Sequence, residues 1–265
     1  MLLSMIPHFR NGPYILMYHS IDDGSEDPYT VTINAFREQV SWLSGNGFES
    51  VPLSFVAQSI RNNDYRSLRR KVVFTFDDGY KDFVTNALPV LLHHGATATV
   101  FLVTDMIGGE SSWSKNCKHM PLMSMDDLTY IKTKGISLGS HTATHANLPI
   151  LEDKELHRQL SDSYNRLTAL GESFYSFSYP WGQWTTETAK SVKETGYACA
   201  VMVGGAIYSG KMDIYHLPRV VMRDDMDFES FKAIFYQTPL TRFYKACSNK
   251  IKNARKRISP GPAIG

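Results

Sequence analysis

The strongest constraint on this chain is an alternation of strand-like and helix-like segments with a glycine behind most of the helices. Residues 14–18 (YILMY), 71–76 (KVVFTF), 97–103 (TATVFLV), 136–140, 174–179 and 198–203 are short β-branched or aromatic runs, which predicts buried strands. Residues 33–46, 82–94, 125–134, 153–170, 185–195 and 227–236 carry apolar residues at helical spacing. Gly47, Gly95, Gly135, Gly171 and Gly196 follow five of these helices, where a chain-terminating left-handed residue belongs. Such alternation predicts a parallel α/β architecture, and about seven strand–helix units favour closure into a single-domain barrel.

Length and composition narrow the reading further. A chain of 265 residues buries a core without disulfides or structural metals. Cys117, Cys199 and Cys247 are odd in number and form no CxxC pair, so neither a disulfide framework nor a thiolate zinc site is suggested, and reduced thiols in a cytosolic setting are expected. The apolar opening MLLSMI is broken by Pro7, too short for a signal peptide core or a membrane span, so the expected location is cytoplasmic. Charge is unevenly placed: the last 26 residues carry seven basic and no acidic side chains, leaving a body near −5 and a tail near +7. This divides the chain into a single domain at 1–239 and a basic tail at 240–265. The tail is read either as a solvated segment or as a peripheral contact with an anionic membrane surface; no nucleic-acid motif accompanies it.

In parallel α/β folds the reactive side chains gather where strands end. Asp77-Asp78-Gly79 follows the strand at 71–76, His141 and His145 follow 136–140, Pro180-Trp181-Gly182 follows 174–179, and His19 follows 14–18. Taken singly, each has an ordinary explanation: a turn, a loop, a packed strand end. A histidine pair four residues apart can present two imidazoles from one face of a helical turn to a metal. Asp78, His141 and His145 together supply three nitrogen and oxygen ligands and leave a position open, which is the pattern of a catalytic zinc site. Asp77 remains beside them as a general base.

TFDDG (75–79), SHTATH (140–145) and FSYPWG (177–182), in this order, resemble the motifs of the polysaccharide deacetylases, the NodB-like domains of carbohydrate esterase family four. The resemblance covers about residues 13–236. It implies a distorted (β/α)7-type barrel and removal of acetyl groups from N-acetylated sugars with a divalent metal, zinc first and nickel or cobalt as alternatives. It makes Asp77 the base and Asp78, His141 and His145 the ligands. Trp181 is then expected to offer a backbone N–H to the oxyanion and an aromatic wall to the sugar, with Tyr179, Pro180 and Trp184 as further substrate contacts.

The sequence departs from the commonest family pattern. Ser178 stands where an arginine usually pairs with the base, and Arg219 is the candidate replacement. The usual Asp-Trp motif is missing, with Trp113 and Trp184 as possible caps for the sugar. No Leu-x-His strand closes the chain to supply a general acid. His19, at the end of a Tyr-His strand, resembles the acid of exopolysaccharide N-deacetylases that carry this element at the front, and His216 is the runner-up. The expected activity is hydrolysis of an N-acetyl group on an amino sugar in a polysaccharide or glycoconjugate. The alternatives are an O-acetyl esterase with the same site and a non-catalytic carbohydrate-binding member of the fold.

Overall fold

The computed structural model describes residues 12–113, 119–204 and 212–236. Asn11–Met226 form one compact unit. Its elements, in chain order, are β1 (Tyr14–Tyr18), β2 (Ser20–Ile21), β3 (Thr30–Val31), α1 (Ile33–Gly45), β4 (Glu49–Ser50), α2 (Leu53–Arg61), β5 (Lys71–Phe76), α3 (Leu88–His93), β6 (Ala98–Leu102), α4 (Met125–Thr133), β7 (Ser137–Ser140), α5 (Asp153–Ala169), β8 (Ser176–Ser178), α6 (Thr186–Thr195), β9 (Cys199–Val203) and β10 (Leu217–Val221).

Seven parallel strands close into a barrel in the order β1-β10-β9-β8-β7-β6-β5, with β5 returning to β1. The closing seam is long: Tyr14 to Tyr18 pair in register with Val72 to Phe76. On its other side β1 meets β10 through Leu16–Val220 and Met17–Val221. The first strand of the chain is therefore inserted between the fifth and the last. The expected barrel is the observed one. Outside it, β4 pairs with the start of β5, and β2 pairs with β3 as a separate two-stranded piece.

The strands read as uninterrupted apolar runs because they are covered on both faces. One cluster joins Ile15, Val73, Phe101, Val201 and Leu217 of the barrel to Leu53, Val56, Ala57 and Ile60 of α2. A second is aromatic. Tyr18 lies against Phe36 and Phe76, Phe76 against Phe83, and the Tyr18 hydroxyl donates to Gln39 Oε1 at 2.7 Å. Truncating one of these rings to alanine is expected to cost about 3–5 kcal/mol. Gly139 in β7 admits no side chain, since a Cβ there would meet the Phe101 ring at 2.5 Å.

Several expected elements end elsewhere. The helix expected over 82–94 starts as a π-helical turn, Phe83–Ala87, before α3. Pro89, which has no N–H to donate, falls at the second position of α3. α2 and β10 were not anticipated. β10 reads LPRVV, and its Pro218 and Arg219 mask the strand pattern. Helix α7 (Phe228–Phe235) belongs to a second unit. Asp227 caps it by accepting from Ser230 N at 2.7 Å, and Phe228 stacks on Phe231. The tail at 240–265, Cys117 and Cys247 lie outside the described residues, and Cys199 is a buried free thiol. Among the described residues no helix is long and apolar enough to cross a membrane.

Candidate active site

At the C-terminal ends of β1, β5, β7 and β8 the chain leaves a cavity of about 220 Å³. His19, Asp77, Asp78, His141 and His145 all line it, together with Tyr29, Tyr80, Trp113 and Trp181. Barrel closure thus brings together side chains spread over most of the chain.

Asp77 is buried and held by Arg219 from β10. Nη1 donates to Oδ1 and Nη2 to Oδ2, both at 2.7 Å, a bidentate pair. Arg219 is itself 1 % exposed and spends its other donors on Ser178 Oγ, Thr75 Oγ1 and the Met202 carbonyl. Burial pushes the Asp77 carboxyl up, but Arg219, with His141 and His19, outweighs it and holds the group below its ordinary range. Asp77 is therefore ionised at neutral pH. Ser178 stands beside the pair and donates to Asp77 Oδ2 at 3.3 Å, so the charge missing from β8 arrives from β10.

Asp78, His141 and His145 form a buried group whose ligand atoms all lie within 4.8 Å of one another. His145 Nε2 is 3.3 Å and His141 Nε2 3.6 Å from Asp78 Oδ1. Those separations are the edges of a tetrahedron with corners about 2 Å from its centre, the bond length of zinc to nitrogen and oxygen ligands. Asp78 Oδ1 is buried with no hydrogen-bond partner, which is costly unless a cation meets it. His141 Nδ1 bonds the Ser178 carbonyl oxygen at 2.8 Å; a backbone carbonyl only accepts, so Nδ1 carries the proton and the Nε2 lone pair faces Asp78. Burial lowers the His141 pKa to about 4, with Asp77 opposing and His145 reinforcing the shift, so the ring is neutral and able to ligate near pH 7. For Asp78, burial pushes the pKa up, but the surrounding histidines, His145 foremost, bring it well below the ordinary value. The residues present fit a divalent cation.

The two histidines do not share a helical turn. They sit on a loop in which Thr142 has φ 68° and His145 φ 61°. Asp78 (φ 72°) and Trp181 (φ 59°) are also left-handed. For residues with a Cβ each costs on the order of 1–3 kcal/mol. Hydrogen bonds hold the loop: Thr142 N donates to Ser140 Oγ, Ala146 N to Thr142 Oγ1, and Trp181 Nε1 to the His145 carbonyl at 3.1 Å. The His145 ring lies flat on Trp113 and edge-on to Trp181, with centroids 4.7 and 4.6 Å away.

His19 follows β1, partly buried, with Tyr29 tilted against it at 4.9 Å. His216 does not line the cavity; its Nδ1 bonds Asp213 at 2.7 Å and its ring lies against Trp184. Trp184 and Pro180 are likewise outside the lining, whereas Tyr179 and Trp181 are in it. The Tyr179 hydroxyl donates to the Tyr215 carbonyl at 3.1 Å. Sequence reasoning missed Tyr29 and Tyr80. Neither stands in a motif, although Tyr80 directly follows the DDG turn.

The family model for polysaccharide deacetylase matches residues 64–200, more than half of the chain. YxkH of Bacillus subtilis, whose name places it among the polysaccharide deacetylases, is 30 % identical over 220 residues, 83 % of this chain and 74 % of its own. The poly-β-1,6-N-acetyl-D-glucosamine N-deacetylase of Staphylococcus epidermidis is 25 % identical over 74 % of this chain and 69 % of its own. The Streptococcus pyogenes deacetylase PplD, solved in complex with acetate, shares the fold with a TM-score of 0.74 at 22 % identity, over 87 % of this chain and all of PplD. The chain belongs to the polysaccharide deacetylase family.

Proposed function

We propose that the protein is a metal-dependent N-deacetylase that hydrolyses the acetamido group of an amino sugar within a glycan, releasing acetate. One observation carries this reading: an ionised carboxylate pinned by a buried arginine lies next in sequence to a buried Asp-His-His group, and a histidine lines the same cavity. The name of the staphylococcal relative points to poly-N-acetylglucosamine as the substrate class.

Asp78, His141 and His145 would hold the cation, zinc by ligand set, with nickel or cobalt as alternatives. When bound, it supplies Lewis-acid activation of water and of the acetyl carbonyl. The chain's own residues do the rest. Asp77, kept ionised and oriented by Arg219, accepts the proton of the attacking water. The backbone N–H of Trp181 is the expected donor to the oxyanion. His19 gives its proton to the departing nitrogen, because an amide anion is too basic to leave unprotonated. An ester alkoxide is a better leaving group, so a placed acid favours the amide over the O-acetyl reading.

The test is acetate release from N-acetylglucosamine oligomers beside O-acetylated sugars. Release from the N-acetyl substrate, lost with chelator and with Asp77→Asn, is expected. No release from any N-acetylated glycan by zinc-loaded protein would overturn the proposal.

A further inference from the structure

His19 carries the hardest positional demand in this scheme, and its ring lacks the usual means of meeting it. Its Nδ1 is buried without a hydrogen-bond partner, so no side chain fixes the imidazole through that atom. The backbone on either side must hold it. On the β1 side, Asp77 N donates to the Tyr18 carbonyl at 2.9 Å. On the other side, Ser20 Oγ donates to Asp82 Oδ2 in a short 2.5 Å bond, and Asn86 Nδ2 donates to the Ile21 carbonyl at 2.7 Å. Asp82 and Asn86 flank and enter the π-helical turn after β5, a helix type frequent at functional sites. Four apart in sequence, both reach the β2 segment.

Asp82 is otherwise hard to explain. It is a partly buried carboxylate that forms no ion pair among the described residues, and its Oδ1 is buried and unpartnered. Burial raises its pKa to about 6 against the opposing Ser20 bond. A stabilising surface network does not look like this. The segment from Asp77 to Asp82 thus supplies the base, one proposed metal ligand and the anchor of the acid within one turn of chain.

We propose that Asp82, acting through the Ser20 hydroxyl, is a positioning residue that sets His19 in register with Asp77. This rests on the deacetylase reading for its catalytic meaning, though not for its geometry.

The test is a mutant cycle on the full chain loaded with zinc, using N-acetylglucosamine oligomers. Ser20→Ala and Asp82→Asn are each expected to lower kcat about tenfold, the scale of a modest misplacement of a catalytic group. KM should move less than twofold, and zinc affinity by titration should not change. Ser20→Thr, which keeps the hydroxyl, should restore most of kcat. In a His19→Ala background, Ser20→Ala should cost less than twofold, because its effect passes through His19. An undiminished tenfold loss in that background, or a raised KM with kcat intact, would overturn the proposal. A readout independent of turnover is the two-bond nitrogen–proton NMR signal of the His19 ring. It should broaden or shift in Ser20→Ala and recover in Ser20→Thr. If the wild-type protein releases no acetate from any glycan, the deacetylase reading fails, and the NMR result alone decides. Unchanged His19 signals would then refute the positioning role.

Discussion

Two parts of the cavity are held in different ways. At the ends of β5 and β7, Asp77, Asp78, His141 and His145 are all buried, and Asp77 and His141 are fixed by charged or backbone hydrogen bonds. Three of the backbone positions there are left-handed, which only a tightly determined surrounding sustains. After β1, His19 is partly open to solvent and Tyr29 is exposed, and the ring is steadied by an aromatic contact and its neighbours' bonds. The difference matches the two tasks proposed for them. Ligands for a cation must converge before it arrives. A proton donor must be recharged from solvent after every turnover, so a sealed position would defeat it.

Breaking the rigid part should have the largest effect. Asp78→Ala is expected to abolish both zinc binding, read by titration, and acetate release. Next comes the proton donor: His19→Ala should lower kcat by roughly 10²–10⁴-fold, the scale of a lost general acid, while leaving zinc affinity intact. Zinc affinity that fell with His19 would erase the distinction between the two parts. Arg219→Lys keeps the charge but loses the planar double contact. It should lower kcat by about 10–100-fold, as loss of an orienting partner does. Arg219→Met, measured by urea unfolding, should cost about 3–5 kcal/mol, because Asp77 is then buried without its partner. Tyr29→Ala should cost roughly tenfold in kcat/KM, whereas Trp184→Ala, outside the lining, should be near neutral in the same assay.

The smallest effect is a pH dependence of the metal-free protein. His141 titrates near 4 in the fold, through burial first, against an ordinary value of 6.5. Between those values the unfolded chain takes up a proton that the native state refuses. Native stability should therefore fall as pH drops from 6.5 towards 4, and level off below. Thermal unfolding of His141→Asn should show a flatter slope across that window.

The rigid part was also the legible one. DDG and HTATH are contiguous, so the residues that share a site also share a motif, and the barrel follows from the strand–helix alternation. What lay hidden depends on closure. Arg219 stands in no readable strand, because Pro218 and Arg219 obscure one that only its neighbours β1 and β9 reveal. His19 could be proposed only because a general acid was missing elsewhere. Tyr29 stands in no motif, and Ser20 carries no signal at all, since its meaning is a bond to Asp82, 62 places away. For His141 and His145 the spacing allowed a helical turn but did not fix the loop path that the structure shows, because spacing sets no φ.

The insertion of β1 between β5 and β10 also has a consequence for synthesis. The ribosome makes Arg219 two hundred residues after His19, which at ordinary rates means about 10–40 s. Through that interval one edge of β1 has no strand to pair with, and such an edge invites pairing with another chain. Asp77 meanwhile lacks the charge that keeps it oriented. The reaction centre therefore comes into being late and all at once, with the arrival of β10, and a nascent chain that stops short of it has the motifs of a hydrolase without the barrel that aligns them.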